Sequence, residues 1–248
     1  MKIVVCISSV PDTTSKINFT ADKSAFDKNG IQWVINPLDE FALTKAIKLQ
    51  ETLGATVTVI TVGDVTTEPV IRKALAIGAN DAIRINIEPQ DSYQTAKEIV
   101  NTVQNGGYDL VLCGKESIDY NGASVPGMIA QLLNWSFVNA AVGLDIKDNQ
   151  AIATREIDGG KETVSVKLPL VIAGQKGLVD EKDLIIPNMR GIMSARTKPL
   201  QVVETTAQQV RVASTSFDNV ATRAAVKLVA ADQLDELVRL LHEEAKVI

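Results

Sequence analysis

Histidine, cysteine and aromatic residues are scarce in this sequence of 248 residues, and their scarcity excludes several kinds of functional site. The chain has one histidine, two cysteines and 4% aromatic residues. A lone His242, in the last helical stretch, cannot be half of a His-based catalytic or metal site. Cys6 and Cys113 lie in apolar β-like runs and form no cluster with metal-ligand spacing. We therefore predict no metal site and interpret both cysteines as small core side chains.

The familiar motifs of catalysis and of nucleotide binding are absent as well. The sequence has no GxGxxG after its first predicted strand, no GxxxxGK[ST], no GxSxG and no HExxH. These absences disfavour NAD-type Rossmann binding, P-loop phosphoryl transfer and conventional hydrolysis. The acids Asp12, Asp39 and Asp119 occur in contexts typical of turns and helix caps. We therefore predict that the chain has no catalytic residue and is not itself an enzyme.

Positive charge and long apolar runs are also lacking. The net charge of −5 and the pI near 5.1 disfavour nucleic acid as a partner, because such binding depends on clustered Lys and Arg. No run of 18 apolar residues occurs. The N-terminus reaches a polar, proline-containing stretch too early for a signal peptide. We therefore expect a cytoplasmic protein that is not membrane-embedded.

The residues that are abundant predict an α/β fold. Apolar residues make up 46% of the chain and charged residues 22%, which is the balance of an aliphatic interior. In the first two thirds, β-like runs alternate with helical periods, as in parallel strands joined by right-handed crossovers. We predict an open, doubly wound, Rossmann-like parallel sheet of about five strands, formed by Lys2–Ser8, Thr56–Val62, Ala82–Ile87, Tyr108–Gly114 and Val138–Val142.

A helix start is predicted at Asn36-Pro37-Leu38-Asp39, with Asn36 as the N-cap and proline at the first helical position. Apolar residues at helical spacings follow until Gly54. Three later helices are predicted from Pro69 to Gly78, over Tyr93–Val103, and after Gly122.

The pattern changes after about residue 143. Two alternating segments predict a small antiparallel addition, and a third apolar run could return to the main sheet: Ile152–Glu156, Thr163–Lys167 and Leu170–Ala173. From Val179 to Asp218 no strong period persists, which indicates an extended arm, and Asp232–Lys246 predicts a closing helix. We therefore divide the chain into a nucleotide-binding α/β domain, residues 1–178, and a partner-wrapping arm with a C-terminal helix, residues 179–248.

A ligand site is expected where the predicted strands end. In doubly wound sheets, ligands bind beyond the carboxyl ends of the strands. Three polar or glycine-bearing segments follow strands, namely Cys6–Ser9, Val62–Asp64 and Gly114–Val125. Asn36 to Asp39 joins them if the helix N-terminus points the same way. The alternative for Gly114–Val125 is that Asn121-Gly122 only makes a turn and caps the next helix.

Several segments, taken in order, resemble the electron transfer flavoprotein beta subunit. They cover residues 1–200 and comprise Val10-Pro11-Asp12, Asn36-Pro37-Leu38-Asp39-Glu40, Arg72 to Ala79, Gly114 to Asp119, Arg155 to Thr163 with Lys167-Leu168-Pro169, and Gly191 to Arg196. The last 48 residues match mainly in ending on a helix.

The resemblance implies a heterodimer in which an alpha subunit holds most of a redox-active FAD at the interface, while the beta subunit buries a structural AMP. Electrons would come from acyl-CoA dehydrogenase-type flavoproteins of fatty acid oxidation and pass to a quinone reductase. An apolar anchor for docking on the dehydrogenases would fall on Met189. The implied cofactor-binding residues are Cys6, Asn36, Pro37, Leu38, Asp39, Gly63, Gly114, Lys115, Glu116, Ser117, Ile118, Asp119, Tyr120, Asn121, Gly122, Ala123, Ser124 and Val125.

Two alternatives stay open at this point. In electron-bifurcating relatives the same cavity takes a second FAD, with an NADH-linked activity. A protein of another class, a free-standing adenine-nucleotide sensor, would use the same α/β layout without a partner.

Overall fold

The computed structural model describes residues 1–206, 209–223 and 225–248, and its main feature is a nine-stranded sheet within those residues. Positions 207, 208 and 224, which belong to the predicted arm, lie outside the described residues. The strands, in chain order, are β1 (Lys2–Cys6), β4 (Thr56–Val62), β5 (Asp81–Asn86), β6 (Leu110–Gly114), β7 (Ser136–Lys147), β8 (Gln150–Ile157), β9 (Gly160–Lys167), β10 (Leu170–Gly174) and β11 (Leu200–Glu204). A separate antiparallel pair consists of β2 (Ser9–Pro11) and β3 (Trp33–Ile35).

The sheet has the order β11-β5-β4-β1-β6-β10-β7-β8-β9. Each pairing from β11 to β7 is parallel, whereas β8 and β9 continue the sheet in antiparallel fashion. The doubly wound α/β class, the predicted strands and the antiparallel addition are therefore confirmed. The run Leu170–Ala173 does return to the main sheet, between β6 and β7.

The prediction of about five parallel strands was too low, partly because β11 was not recognised. β11 lies within the predicted extended arm and pairs with β5 in parallel register, Leu200 opposite Ala82. It is an edge strand whose residues are mostly exposed, so it lacks the apolar run that marks a buried parallel strand. A short helix also lies in the same stretch, so residues 179–218 are not uniformly extended.

The described residues contain six α-helices. They are α1 (Pro37–Leu53), α2 (Glu68–Ile77), α3 (Ser92–Val103), α4 (Val125–Leu133), α5 (Met189–Ala195) and α6 (Leu234–Arg239), the last continuing in a π-helical turn over Leu240–Glu244. Of these, α1 and α2 cover one face of the sheet and α3 and α4 cover the other. One core contains side chains of α1 and α2, and includes Ile3, Val5, Leu43, Ile71 and Leu75. The other contains side chains of α3 and α4, and includes Val4, Cys6, Ile99, Cys113 and Ile129. Both cysteines are free and buried, as predicted.

The described residues divide into two compact units. Residues 1–17 and 28–215 form the unit that contains the sheet. Residues 18–27 and 216–248 form the second, in which the ring of Phe19 stacks on that of Phe217 at 5.2 Å between centroids. No helix among the described residues is long and apolar enough to cross a membrane. The wrapping of a partner by residues 179–248 stays a prediction.

Candidate functional site

The carboxyl ends of β1 and β6 lie at the switch point of the sheet. From β1 the chain adds β4 and then β5 on one side, and it later crosses to add β6 and β10 on the other. Connections that leave neighbouring strands in opposite directions open a crevice outside the strand ends, where ligands of open α/β sheets bind. The segments predicted from the sequence to hold a ligand follow these strands.

Asp39 ties the first turn of α1 to the ends of both strands. Its Oδ2 accepts a hydrogen bond from the Ser8 N–H at 2.8 Å, and its Oδ1 accepts one from the Gly114 N–H at 2.8 Å. The side chain is 4% exposed. Burial raises the pKa of the Asp39 carboxyl to about 7, because it penalises the charged form, while the two backbone donors lower it.

Asn36 ties the same helix start to the segment that follows β6. It occupies the N-cap position of α1, as predicted, but its side chain makes no capping hydrogen bond. Instead, its Nδ2 donates to the Glu116 carbonyl at 2.9 Å, and its Oδ1 accepts from the Ile118 N–H at 3.3 Å. Asn36 is fully buried. Its role in this structure is therefore to hold the connection after β6, and a direct ligand contact stays a prediction.

Gly114 allows the close approach of β6 to α1. A Cβ at this position would lie 2.5 Å from Asp39 Oδ1 and 2.8 Å from Leu38 Cβ. Real Cβ atoms essentially never come this close to another heavy atom. Proline at the first helical position, Pro37, leaves no N–H that would need a partner there. The structure thus explains why glycine occurs at position 114 and proline at position 37.

The connection from β6 to α4 has two parts. Hydrogen bonds to other elements hold residues 115–118, whereas residues 119–123, the open half, are exposed. The Lys115 N–H donates to the Gly174 carbonyl at 2.7 Å, whereas Tyr120 is 76% exposed. Asn121 and Ala123 both have a φ of 49°, a region that residues other than glycine enter rarely and often at functional sites. The open half is the part of the predicted site that a ligand or partner can reach.

The first turn of α4 follows this open half. Ser124 stands at the N-cap position but makes no side-chain capping hydrogen bond. In the predicted alternative, the Asn121-Gly122 segment only makes a turn and caps the next helix. The structure does not support the capping part of this alternative, because the N-cap residue of α4 is Ser124. A helix N-terminus without a side-chain cap suits an anion, since its free N–H groups and the helix dipole favour negative charge.

Gly63, another predicted site residue, directly follows the end of β4. Its N–H donates to the Ile85 carbonyl at 3.0 Å, and its carbonyl accepts from Arg84 Nη1 at 3.1 Å. Sequence reasoning missed Arg84, because a single arginine in a β-like run carries no motif. Cys6, at the end of β1, lies beside Cys113, and the Cys6 hydrogen bond together with burial raises the pKa of the Cys113 thiol.

Met189 does not lie at the strand ends but begins α5, which packs against α2. Its side chain is 73% exposed, and Asn188 caps the helix by accepting from the Gly191 N–H at 2.8 Å. Arg72 of α2 fixes the far end of the helix by donating to the carbonyls of Ala195 and Lys198 at 2.8 Å each. The exposed thioether therefore sits on an anchored segment.

Comparisons of the sequence with a family profile and with individual proteins all indicate the same family. The profile of the electron transfer flavoprotein domain matches residues 24–208. The electron transfer flavoprotein subunit beta of Bacillus subtilis is 33% identical, with 100% of both chains covered. The subunit beta of Dictyostelium discoideum is 33% identical over 82% of this chain and 80% of its own length. The human subunit beta is 29% identical over 82% of this chain and 81% of its own.

The chain belongs to the electron transfer flavoprotein family, among its beta subunits. Membership confirms the resemblance of the ordered motifs around residues 36–40, 114–119 and 155–163. It also gives the general role of the chain, which is in electron transfer. The family profile ends at residue 208, so the family's defining sequence includes β11 and the segment with Met189.

Proposed function

We propose that this chain is the nucleotide-binding subunit of a heterodimer, with AMP in its own strand-end crevice and FAD shared with an alpha subunit. The observation that carries the proposal is the joining of Ser8, Gly114 and the first turn of α1 at the switch point between β1 and β6. Ligands of open α/β sheets bind at such a switch point. Membership in the electron transfer flavoprotein family supports a flavin as the cofactor and an alpha subunit as the partner.

The residues around the crevice fit a mononucleotide. The first turn of α4 lacks a side-chain cap and suits the phosphate, while exposed Asp119 and Asn121 offer polar groups to the ribose or the base. Buried Asn36 and Asp39 would keep the walls in place without needing to touch the ligand. In this role AMP stabilises the fold, because a ligand that binds only the folded chain shifts the unfolding equilibrium.

Bound FAD would supply the redox chemistry at the interface with the alpha subunit. This chain would bind the alpha subunit and orient the two subunits, and its own residues would take no part in the redox chemistry. In the proposed cytoplasmic pathway, acyl-CoA dehydrogenase-type flavoproteins of fatty acid oxidation are the electron donors and a quinone reductase is the acceptor. The exposed, anchored Met189 is the proposed docking residue for the donors.

The nucleotide content of the purified complex tests this function. The complex is denatured, and the released nucleotides are separated and quantified. We expect equimolar FAD and AMP together with a co-purifying alpha subunit. FAD at twice the molar amount of this chain, with no AMP, would instead support the bifurcating alternative. Nucleotide on a chain that purifies without a partner would support the sensor, and absence of any adenine nucleotide would refute the proposed site.

We predict that Met189→Ala slows electron transfer from a partner dehydrogenase about tenfold, as expected if a docking anchor worth about 1.4 kcal/mol is lost. Stopped-flow reduction of the flavin by the dehydrogenase measures the rate. Flavin content and melting temperature should stay unchanged, because the side chain is mostly exposed. Leu53→Ala, which truncates a half-exposed leucine at the end of α1, is the matched control and should leave the rate unchanged. A less stable Met189→Ala protein with a normal rate would disprove the docking role.

A further inference from the structure

Arg84 is a buried cation near the carboxyl end of β5, at the edge of the sheet where the proposed site lies. It lies in β5 opposite Thr61 of β4, and its side chain is 5% exposed. Burying a guanidinium is costly unless acceptors and an opposite charge surround it. The hydrogen-bond and ion-pair partners of Arg84 should therefore indicate the role of this buried charge.

Two of its partners, Gly63 and Glu68, lie at opposite ends of the connection between β4 and α2, and a third, Asn86, lies in β5 itself. Arg84 Nη1 donates to the carbonyl of Gly63, just beyond the end of β4, at 3.1 Å and to Asn86 Oδ1 at 2.7 Å. Arg84 Nε lies 3.4 Å from Oε1 of Glu68, the first residue of α2. One side chain thus joins the end of a strand to the start of the next helix.

The rest of this connection is held just as closely. The Gly63 N–H donates to the Ile85 carbonyl at 3.0 Å, so Arg84 completes the hydrogen bonding of the polar groups of Gly63. Thr67 Oγ1 donates to the Asp64 carbonyl at 2.8 Å, and a Cβ at Gly63 would lie 2.4 Å from Thr67 Cγ2. Hydrogen bonds therefore hold the turn along its length, and Arg84 supplies the one to the Gly63 carbonyl.

We propose that Arg84 is a positioning residue for nucleotide binding, which fixes the Gly63 carbonyl so that the ligand meets a preformed wall at the end of β4. The inference rests on the proposed function, and it takes Gly63, one of the predicted cofactor-binding residues, as a contact of AMP. A preformed wall saves the ordering cost at binding, and its loss appears mainly as faster release. Arg84 acts through the backbone of Gly63, and no contact with the ligand is assigned to it.

The test measures the release of radiolabelled AMP from the full chain, purified with the subunit that accompanies it. Arg84→Met keeps much of the stem and removes every donor, and we expect release about tenfold faster. Arg84→Lys keeps the charge and should give an intermediate rate. Hydrogen exchange at the amides of residues 64–67 is the second readout, and it should be faster in Arg84→Met whether or not AMP is bound.

Two control variants separate positioning from general stability. Arg72→Met also removes a guanidinium that donates to backbone carbonyls, but these are the carbonyls of Ala195 and Lys198, at the end of α5. Glu68→Gln removes the ion pair and leaves the bond from Arg84 to Gly63. Both should release AMP at the wild-type rate.

Unchanged release and unchanged amide exchange in both Arg84 variants would overturn the inference. Equally fast release from Arg72→Met would also overturn it, since the effect would then follow from lost stability. If Arg84→Met does not fold, Arg84→Lys decides the question by the same two readouts. A wild-type protein that binds no AMP would refute the proposed function, while the amide exchange of residues 64–67 would still show whether Arg84 fixes this connection.

Discussion

Gly114→Ala is expected to lower the free energy of unfolding by about 1–3 kcal/mol, the usual cost of overpacking a close contact. The new methyl group would meet Asp39 Oδ1 at 2.5 Å, Leu38 Cβ at 2.8 Å and the Asp39 backbone nitrogen at 3.0 Å. Rotation of one side chain cannot relieve this, because the Asp39 carboxyl is held by Ser8 and Gly114 and a backbone atom is also involved. The start of α1 would have to move away from β6. Urea unfolding, with the slope checked for constancy, measures the change.

Gly127→Ala is the matched control for this prediction. Gly127 lies in α4, and a Cβ there would come no closer than 3.6 Å to Phe137, an ordinary contact distance. Alanine also has a helix propensity about 1 kcal/mol better than glycine, so this variant should be as stable as the wild type or more stable. A Gly114→Ala protein with an unchanged urea midpoint would show that α1 and β6 are not in the tight contact described above.

The second large effect is a pH dependence of stability due to Asp39. Its pKa is raised from 3.8 to about 7 in the folded chain, chiefly by burial. Between these two values the folded state keeps a proton that the unfolded state has released, so stability falls as pH rises through this window. The shift from 3.8 to about 7 corresponds to a loss of at most about 4 kcal/mol, fully present above pH 7.

Unfolding free energies of the wild type and of Asp39→Asn, measured from pH 4 to pH 8, test this prediction. The asparagine variant lacks the titrating group, so the difference between the two curves isolates Asp39. Asp183→Asn is the control, because the hydrogen bond from Lys48 lowers the pKa of exposed Asp183 below its usual value, so Asp183 titrates below this pH range and its difference curve should stay nearly flat. For Asp39→Asn, a difference curve that stays flat across the window would mean that the Ser8 and Gly114 donors fully compensate the burial of the carboxylate.

The sequence predicted the parts of the fold that rest on local pattern. The buried parallel strands are continuous aliphatic runs, and the proline after Asn36 marks the start of α1 without any tertiary information. The sequence also predicted where the candidate site residues come together, since parallel strands joined by crossovers bring their carboxyl ends to one edge of the sheet. The exposure of Met189 agrees with its polar surroundings in the chain.

Other features depended on contacts between distant residues, which local pattern does not encode. Leu200–Glu204 is a strand because the edge of β5 lies beside it, and its own residues are mostly exposed. Glu98 has the appearance of a surface acid on a helix, yet it is 1% exposed and accepts from Thr205 Oγ1 at 2.6 Å and the Thr206 N–H at 3.0 Å. Its burial follows from where the chain after β11 passes.

The sequence by itself thus determined the α/β class and the family to which the chain belongs, because these follow from periodicity and motif, and it predicted the strand-end location of the candidate site from chain order. Only the tertiary structure decided what the site residues do. Asn36 holds the Glu116 and Ile118 backbone instead of capping its helix, and Arg84 reaches the carbonyl of Gly63 from the neighbouring strand. Hydrogen bonds between residues far apart in the chain depend on how the elements pack, and the residue types alone leave several partners equally possible.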